Sequence, residues 1–130
     1  MTPSDYIQEQ AEERQELLTS LHHLITGNDD SVVPAVESMM GKQMILYKER
    51  GYMKYGLAAV KAYMSLHCIS IYMNPALHAK YVALLPSAKF QKGCINFNNS
   101  SEIPLEIISA LIADCSTISI ADMLENGKRK

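Results

Sequence analysis

The chain has 130 residues, 48% of them hydrophobic and 20% charged, with a formal net charge of −2. That length and balance suit one globular domain with its own core and exclude disorder along the whole chain. No run nears the roughly 18 consecutive apolar residues of a membrane span, and the acidic start lacks the basic and apolar regions of a secretory signal, so a cytoplasmic protein is expected.

The first helix is signalled by Thr2-Pro3-Ser4-Asp5, which supplies an N-cap, a proline at the first helical position and an acid at the third. Ile7, Ala11, Leu18, Leu21 and Ile25, widened by Leu17 and Leu24, recur at helical spacing, and Gly27 reads as the left-handed terminator. A short second helix is expected from Pro34 to about Met40. From Lys42 the period changes to two. Gln43–Lys48 and Tyr52–Val60 read as strands joined by a turn at Glu49-Arg50-Gly51, and Tyr63–Met73 reads as a central strand. Asn74-Pro75 caps a helix whose stripe is Leu77, Tyr81, Leu84 and Leu85, with Pro86 closing it. Cys94–Phe97 is a short strand. Pro104 opens a further helix with Leu105, Ile108, Leu111 and Ile112 inward, and Ser119–Asp122 caps another turn or two.

The expected order is therefore α-α-β-β-β-α-β-α. It predicts an α+β domain over residues 1–126, an antiparallel sheet of four to five strands covered by N-terminal, middle and C-terminal helices, with a basic tail at 127–130.

Charge is unevenly spread. Residues 1–40 carry eight acids and one base, whereas residues 41–92 carry eight bases and one acid. On one continuous helix, Asp5, Glu9, Glu12, Glu13 and Glu16 would share an arc of about 100° opposite the apolar stripe. Like charges three and four residues apart each cost roughly 0.2–0.5 kcal/mol, and no lysine relieves them. Glu9, Glu12, Glu13 and Glu16 are therefore candidate ligands for a hard cation such as ferrous iron, or a docking face for a basic partner; a solvated helix surface is the alternative. A second candidate is a sheet cleft lined by Tyr47, Tyr55, Tyr63, Met64 and His67, suited to a small molecule or peptide.

The three cysteines, Cys68, Cys94 and Cys115, have no short spacing that would suggest zinc, and their odd number fits a reduced compartment. His67 and Cys68 are strand neighbours and face opposite ways, so they cannot form a nucleophilic pair; His67 with a distant cysteine stays open. Phosphate-binding, dinucleotide-binding, nucleophile-elbow and zinc-protease motifs are absent, so no catalytic residue is assigned. Tyrosines and lysines mix along the strands, but without an RNA-binding motif nucleic acid is an unfavoured partner.

Two segments, KYGLAAVKAYMSLHCISIY and PSAKFQKGCINFNNSSEIPLEIISALI, resemble the YdhG-like family of small bacterial proteins. The resemblance covers about residues 5–115. It implies a helix-covered sheet. Some members of that family look like frataxins, which implies an acidic surface delivering iron to partners in iron–sulfur assembly. The four glutamates above are nominated from this sequence and are not carried over from a family motif. Two readings result: a non-enzymatic iron chaperone acting through the acidic helix, and an interaction module acting through the sheet cleft.

Overall fold

A computed structural model describes residues 1–39 and 41–128. The capping box at Thr2 forms: Thr2 Oγ1 accepts the Asp5 amide at 3.1 Å and the Asp5 carboxylate accepts the Thr2 amide at 2.9 Å. The helix it starts is short. α1 (Pro3–Gln8) ends at Glu9, and a separate α2 (Glu12–Asn28) begins after Ala11, which has extended backbone. Glutamine side chains occupy the carbonyls freed by the break. Gln10 donates to the Tyr6 carbonyl, and Gln15 donates to those of Gln8 and Gln10. The break lets α1 turn Tyr6 and Ile7 into the core independently of Leu17, Leu18, Leu21 and Ile25 of α2. Gly27 lies inside α2 and does not end it.

Six strands follow in an antiparallel sheet ordered β1-β2-β3-β4-β6-β5. They are β1 (Val33–Met39), β2 (Lys42–Glu49), β3 (Tyr52–Ala59), β4 (Met64–Cys68), β5 (Lys89–Gln91) and β6 (Cys94–Phe97). The sheet is one or two strands larger than expected. β1 replaces the expected helix at Pro34, whose last residue, Met40, lies outside the described residues. β1 is an edge strand with β-branched Val33 and Val36, a position where proline's missing N–H costs little. β5 has three residues, too short to give a periodic signal. The expected strand Tyr63–Met73 stops early: Cys68 is the N-cap of α3 (Ile69–Met73).

The remaining helices are α4 (Pro75–Leu84), α5 (Leu105–Ser116) and α6 (Ile120–Lys128). Asn74 caps α4, its Oδ1 accepting the Leu77 amide at 3.1 Å. Tyr81 and Leu85 are buried as expected, whereas Leu84 is exposed. In α5, Ile108, Leu111, Ile112 and Cys115 are buried, and Leu105 is exposed. The stretch Leu105–Asn126 has the length and apolarity of a membrane span, with mean hydropathy 1.7. Residues 117–119 nevertheless split it into α5 and α6, and its inward side chains are used in the core. α6 runs into the expected tail; Arg129 and Lys130 lie outside the described residues.

The helices bury their stripes on one face of the sheet. That core joins Leu18, Leu21 and Ile25 to Ile45, Tyr47, Leu57, Leu66 and Phe97 of the strands. The other face has its own small apolar cluster, Met44, Leu46 and Ala58 with Met39 and Met53 against it, containing no helix residue.

Two-residue turns close two of the hairpins. Arg50 (φ 49°) and Gly51 (φ 86°) join β2 to β3, as the sequence suggests. Lys92 (φ 57°) and Gly93 join β5 to β6. Gly93 is needed for space: its carbonyl accepts the Cys68 amide at 2.7 Å, and a Cβ there would lie 2.9 Å from Tyr72 Cβ and 3.0 Å from the Cys68 carbonyl. Neither neighbour is a flexible chain end. Gly93→Ala should therefore cost about 1–3 kcal/mol. Gly27→Ala, inside a helix with no atom within 4 Å of the new methyl, should stabilise by about 0.5–1 kcal/mol. Urea unfolding of both variants should give midpoint shifts of opposite sign.

Candidate functional site

Strand alternation decides which side chains share a surface. On β2, β3, β4 and β6 the helix face takes Ile45, Tyr47, Tyr55, Leu57, Met64, Leu66, Ile95 and Phe97. The helix-free face takes the alternate residues. Register aligns them in rows: Leu46, Gly56, His67, Cys94 and Gln91 lie across five strands, with Ala58, Ser65 and Asn96 in the next row.

These rows floor a hollow of about 330 Å³. Ala58, Ser65, His67, Cys94 and Asn96 line it, with Tyr63, Met39 and Met44 at its sides and the exposed Lys42 and Gln91 at its margin. Among the described residues, no carboxylate lines it. His67 Nδ1 lies 3.2 Å from Cys94 Sγ. Burial lowers the His67 pKa, favouring neutral imidazole, and raises that of the Cys94 thiol. The Ser65 hydroxyl pulls the thiol slightly the other way but makes no hydrogen bond of normal geometry. Ser65 is 5% exposed, and its Oγ is one of two buried side-chain oxygens without a partner among the described residues. The other, Ser70 Oγ, belongs to the buried start of α3.

The expected cleft is therefore split between two faces. Tyr63 and His67 line the hollow. Tyr47, Tyr55 and Met64 are core residues on the helix side, at most 1% exposed. Tyr47 OH is paired with His22 Nδ1 at 2.7 Å, and Tyr55 OH donates to Asp29 at 2.7 Å. Alternation separates Tyr63 from Met64 just as it separates His67 from Cys68. Cys94 was not among the nominated cleft residues, although a pairing of His67 with a distant cysteine stayed open; which cysteine depends on the β4–β6 register, which no local pattern encodes.

The four glutamates do not lie on one helix. Glu9 caps the end of α1, while Glu12, Glu13 and Glu16 stand in the first turns of α2. Glu12 and Glu13 thereby gain the favourable field of a helix N-terminus. Glu13 and Glu16 border a second hollow of about 440 Å³ with Leu17, Asn98 and Leu105. It is larger than the sheet hollow, and of its polar lining residues Glu13, Glu16, Asn98, Asn99 and Ser100 are exposed. Among the described residues, no three His, Cys, Asp or Glu side chains converge as a metal site.

Two other polar clusters lie on the helix side. A bulge in β3 opposes Tyr47 to Tyr55 and Lys48 to Met53, leaving Lys54 unpaired. A bulge turns adjacent side chains to one side, so Lys54 and Tyr55 both reach Asp29 in the α2–β1 loop. Lys54 Nζ is 2.8 Å from Asp29 Oδ2, and each side chain is 1% exposed. Burial alone would raise the Asp29 pKa; hydrogen bonds from Lys54, Ser31 and Tyr55 outweigh it and lower it. Nearby, Cys68 and Cys115 Sγ lie 3.4 Å apart, both free and both fully buried. A hydrogen bond from Cys115 lowers the Cys68 pKa against the effect of burial, aided by the Ile71 and Ser70 amides and by Lys54. The same bond and burial push Cys115 up. The pair is sealed from solvent.

Comparison with protein-family models, with curated proteins and with solved structures gives no match.

The buried ion pair gives a sharp expectation. Asp29→Asn leaves Lys54 buried and uncompensated and should cost about 3–5 kcal/mol. Asp29→Asn with Lys54→Met should cost less than the two single changes summed. Because the folded Asp29 pKa is depressed, its stabilisation is present above the unfolded value of about 3.9 and is lost as pH falls through the folded value. Denaturant unfolding from pH 7 to 3 should show a shallower acid decline in Asp29→Asn than in the parent.

Proposed function

We propose that the protein is a binding module whose site is the hollow on the helix-free sheet face, taking a small, largely uncharged ligand. The observation that carries this reading is Ser65: among the described residues its buried hydroxyl has only the Cys94 thiol close by, without a hydrogen bond of normal geometry, a state that costs up to about 1–3 kcal/mol, and it faces a hollow that a ligand acceptor or donor could enter. The volume is at the lower end of the roughly 300–1,000 Å³ of small-molecule sites, and its mix of thioether, aromatic and a few polar groups matches their usual lining. The absence of a lining carboxylate argues against a strongly cationic organic ligand.

Ser65→Ala should then raise the melting temperature by about 3–5 °C. In a fragment screen read by NMR, ligands should move the signals of Tyr63, Ser65, His67 and Asn96, and Ser65→Ala should weaken the polar ones. Fragments clustering elsewhere, or a Ser65→Ala variant less stable than the parent, would count against the hollow.

The second reading is the iron chaperone, favoured by Glu13 and Glu16 sharing the margin of the larger hollow. Ferrous iron would be held with water completing its shell, for delivery to iron–sulfur assembly partners. Anaerobic iron titration of the parent and of a variant with Glu9, Glu12, Glu13 and Glu16 all changed to Gln separates the two: only this reading predicts heat that the variant loses.

A further inference from the structure

The sheet hollow also gathers soft donor atoms. His67 and Cys94 stand in one cross-strand row, with Nδ1 and Sγ 3.2 Å apart. Gly56 precedes them in that row and has no side chain. The space above it is filled by the ends of two methionines: a Cβ built on Gly56 would lie 2.6 Å from Met44 Cε, 2.7 Å from Met53 Cε and 3.4 Å from His67 Cβ. Both methionine methyl ends thus lie over Gly56, the cross-strand neighbour of His67, and Met44 lines the same hollow as His67 and Cys94.

We propose that this cluster is a site for a soft monovalent metal ion, cuprous copper, with Cys94 Sγ, His67 Nδ1 and the Met44 thioether as ligands and Met53 beside them. The inference rests on the sheet hollow being a binding site, and it adds a metal ion to the uncharged organic ligand proposed for that hollow.

Two observations favour this chemistry. Thiolate, thioether and imidazole form a soft donor set that selects Cu(I), whereas hard cations need the carboxylates that are absent here. The charge also balances. The ion displaces the Cys94 proton, so the cluster is uncharged before and after binding: Cu⁺ and the thiol give a copper thiolate and one proton. A divalent ion would leave one uncompensated positive charge in a half-buried site with Lys42 at its margin.

A nucleophilic role for Cys94 is less favoured by the same facts. The one cation among the described lining residues, Lys42, stands at the margin, and the close side-chain neighbour of Cys94 Sγ is His67.

The test is an anaerobic titration of the full chain with Cu(I) against a coloured cuprous chelator, with proton release followed in weak buffer and X-ray absorption at the copper edge. One equivalent should bind, releasing one proton, with sulfur and nitrogen scatterers. Cys94→Ser and His67→Gln should each weaken binding at least tenfold, and Met44→Leu, which keeps the volume but removes the sulfur, should also weaken it. Gly56→Ala offers a milder probe, because its methyl would push aside only the flexible methionine ends. Circular dichroism melts confirm that each variant is folded. No uptake by the parent, or uptake unchanged in both Cys94→Ser and His67→Gln, overturns the proposal; the latter would place copper at another site, such as Cys68 and Cys115. If copper fails while organic fragments move the Tyr63 and Ser65 signals, the copper assignment falls and the binding-module reading stands. If neither binds, both fall.

Discussion

The two-residue period of the strands, held in register across six antiparallel strands with all core helices on one side, is the constraint on which the rest depends. It sorts each strand residue into one of two environments. Leu57, Leu66 and Ile95 go to a closed core, while Gly56, His67 and Cys94, one position away, go to a face with no helix over it. A shift of one residue in β4 or β6 would exchange that strand's two sets and turn His67 or Cys94 toward the helices. The chemistry of the free face and the stability of the covered one are therefore set together.

The bulge at Lys54 is the local exception. By turning Lys54 and Tyr55 to the same side, it places an ammonium and a phenol on one carboxylate in the α2–β1 loop. The link ties the end of the longest helix to an interior strand. Similar polar ties act elsewhere. Glu49 accepts the Ser119 hydroxyl and the Ala121 amide at the start of α6. Asp114 of α5 accepts Tyr81 and Lys80 of α4, bonds that lower its pKa. These links position the helical layer and leave the other face of the sheet untouched.

Much of the fold was legible in the sequence because local signals agree with it. The Thr2 capping box, the Arg50-Gly51 turn, the Asn74-Pro75 cap and the strands around Tyr47, Leu57 and Ile95 all lie where spacing and turn chemistry put them. The misses have physical reasons. The break at Glu9–Ala11 has no Gly or Pro to announce it and is sustained by glutamine amides reaching back to free carbonyls. β1 depends on pairing with β2 as well as on its β-branched Val33 and Val36, and the pairing is not visible in its own sequence. The lining of the sheet hollow was half legible: Tyr63 and His67 could be chosen by residue type, but Tyr47, Tyr55 and Met64 needed a face assignment, and Cys94 needed long-range register. The acidic arc relied on one straight helix, which the break divides.

The central claim is that the two faces of the sheet differ in access, with the reactive groups on the helix-free one. Cysteine labelling measures this most directly, because Cys94 stands on one face and Cys68 and Cys115 on the other. Treating the native protein with a small alkylating reagent at mildly alkaline pH, followed by peptide mass spectrometry, should label Cys94 alone, slowly, with Cys68 and Cys115 reacting only after denaturant is added. Labelling of Cys68 or Cys115 at a rate equal to or above that of Cys94 in the native protein would contradict the account.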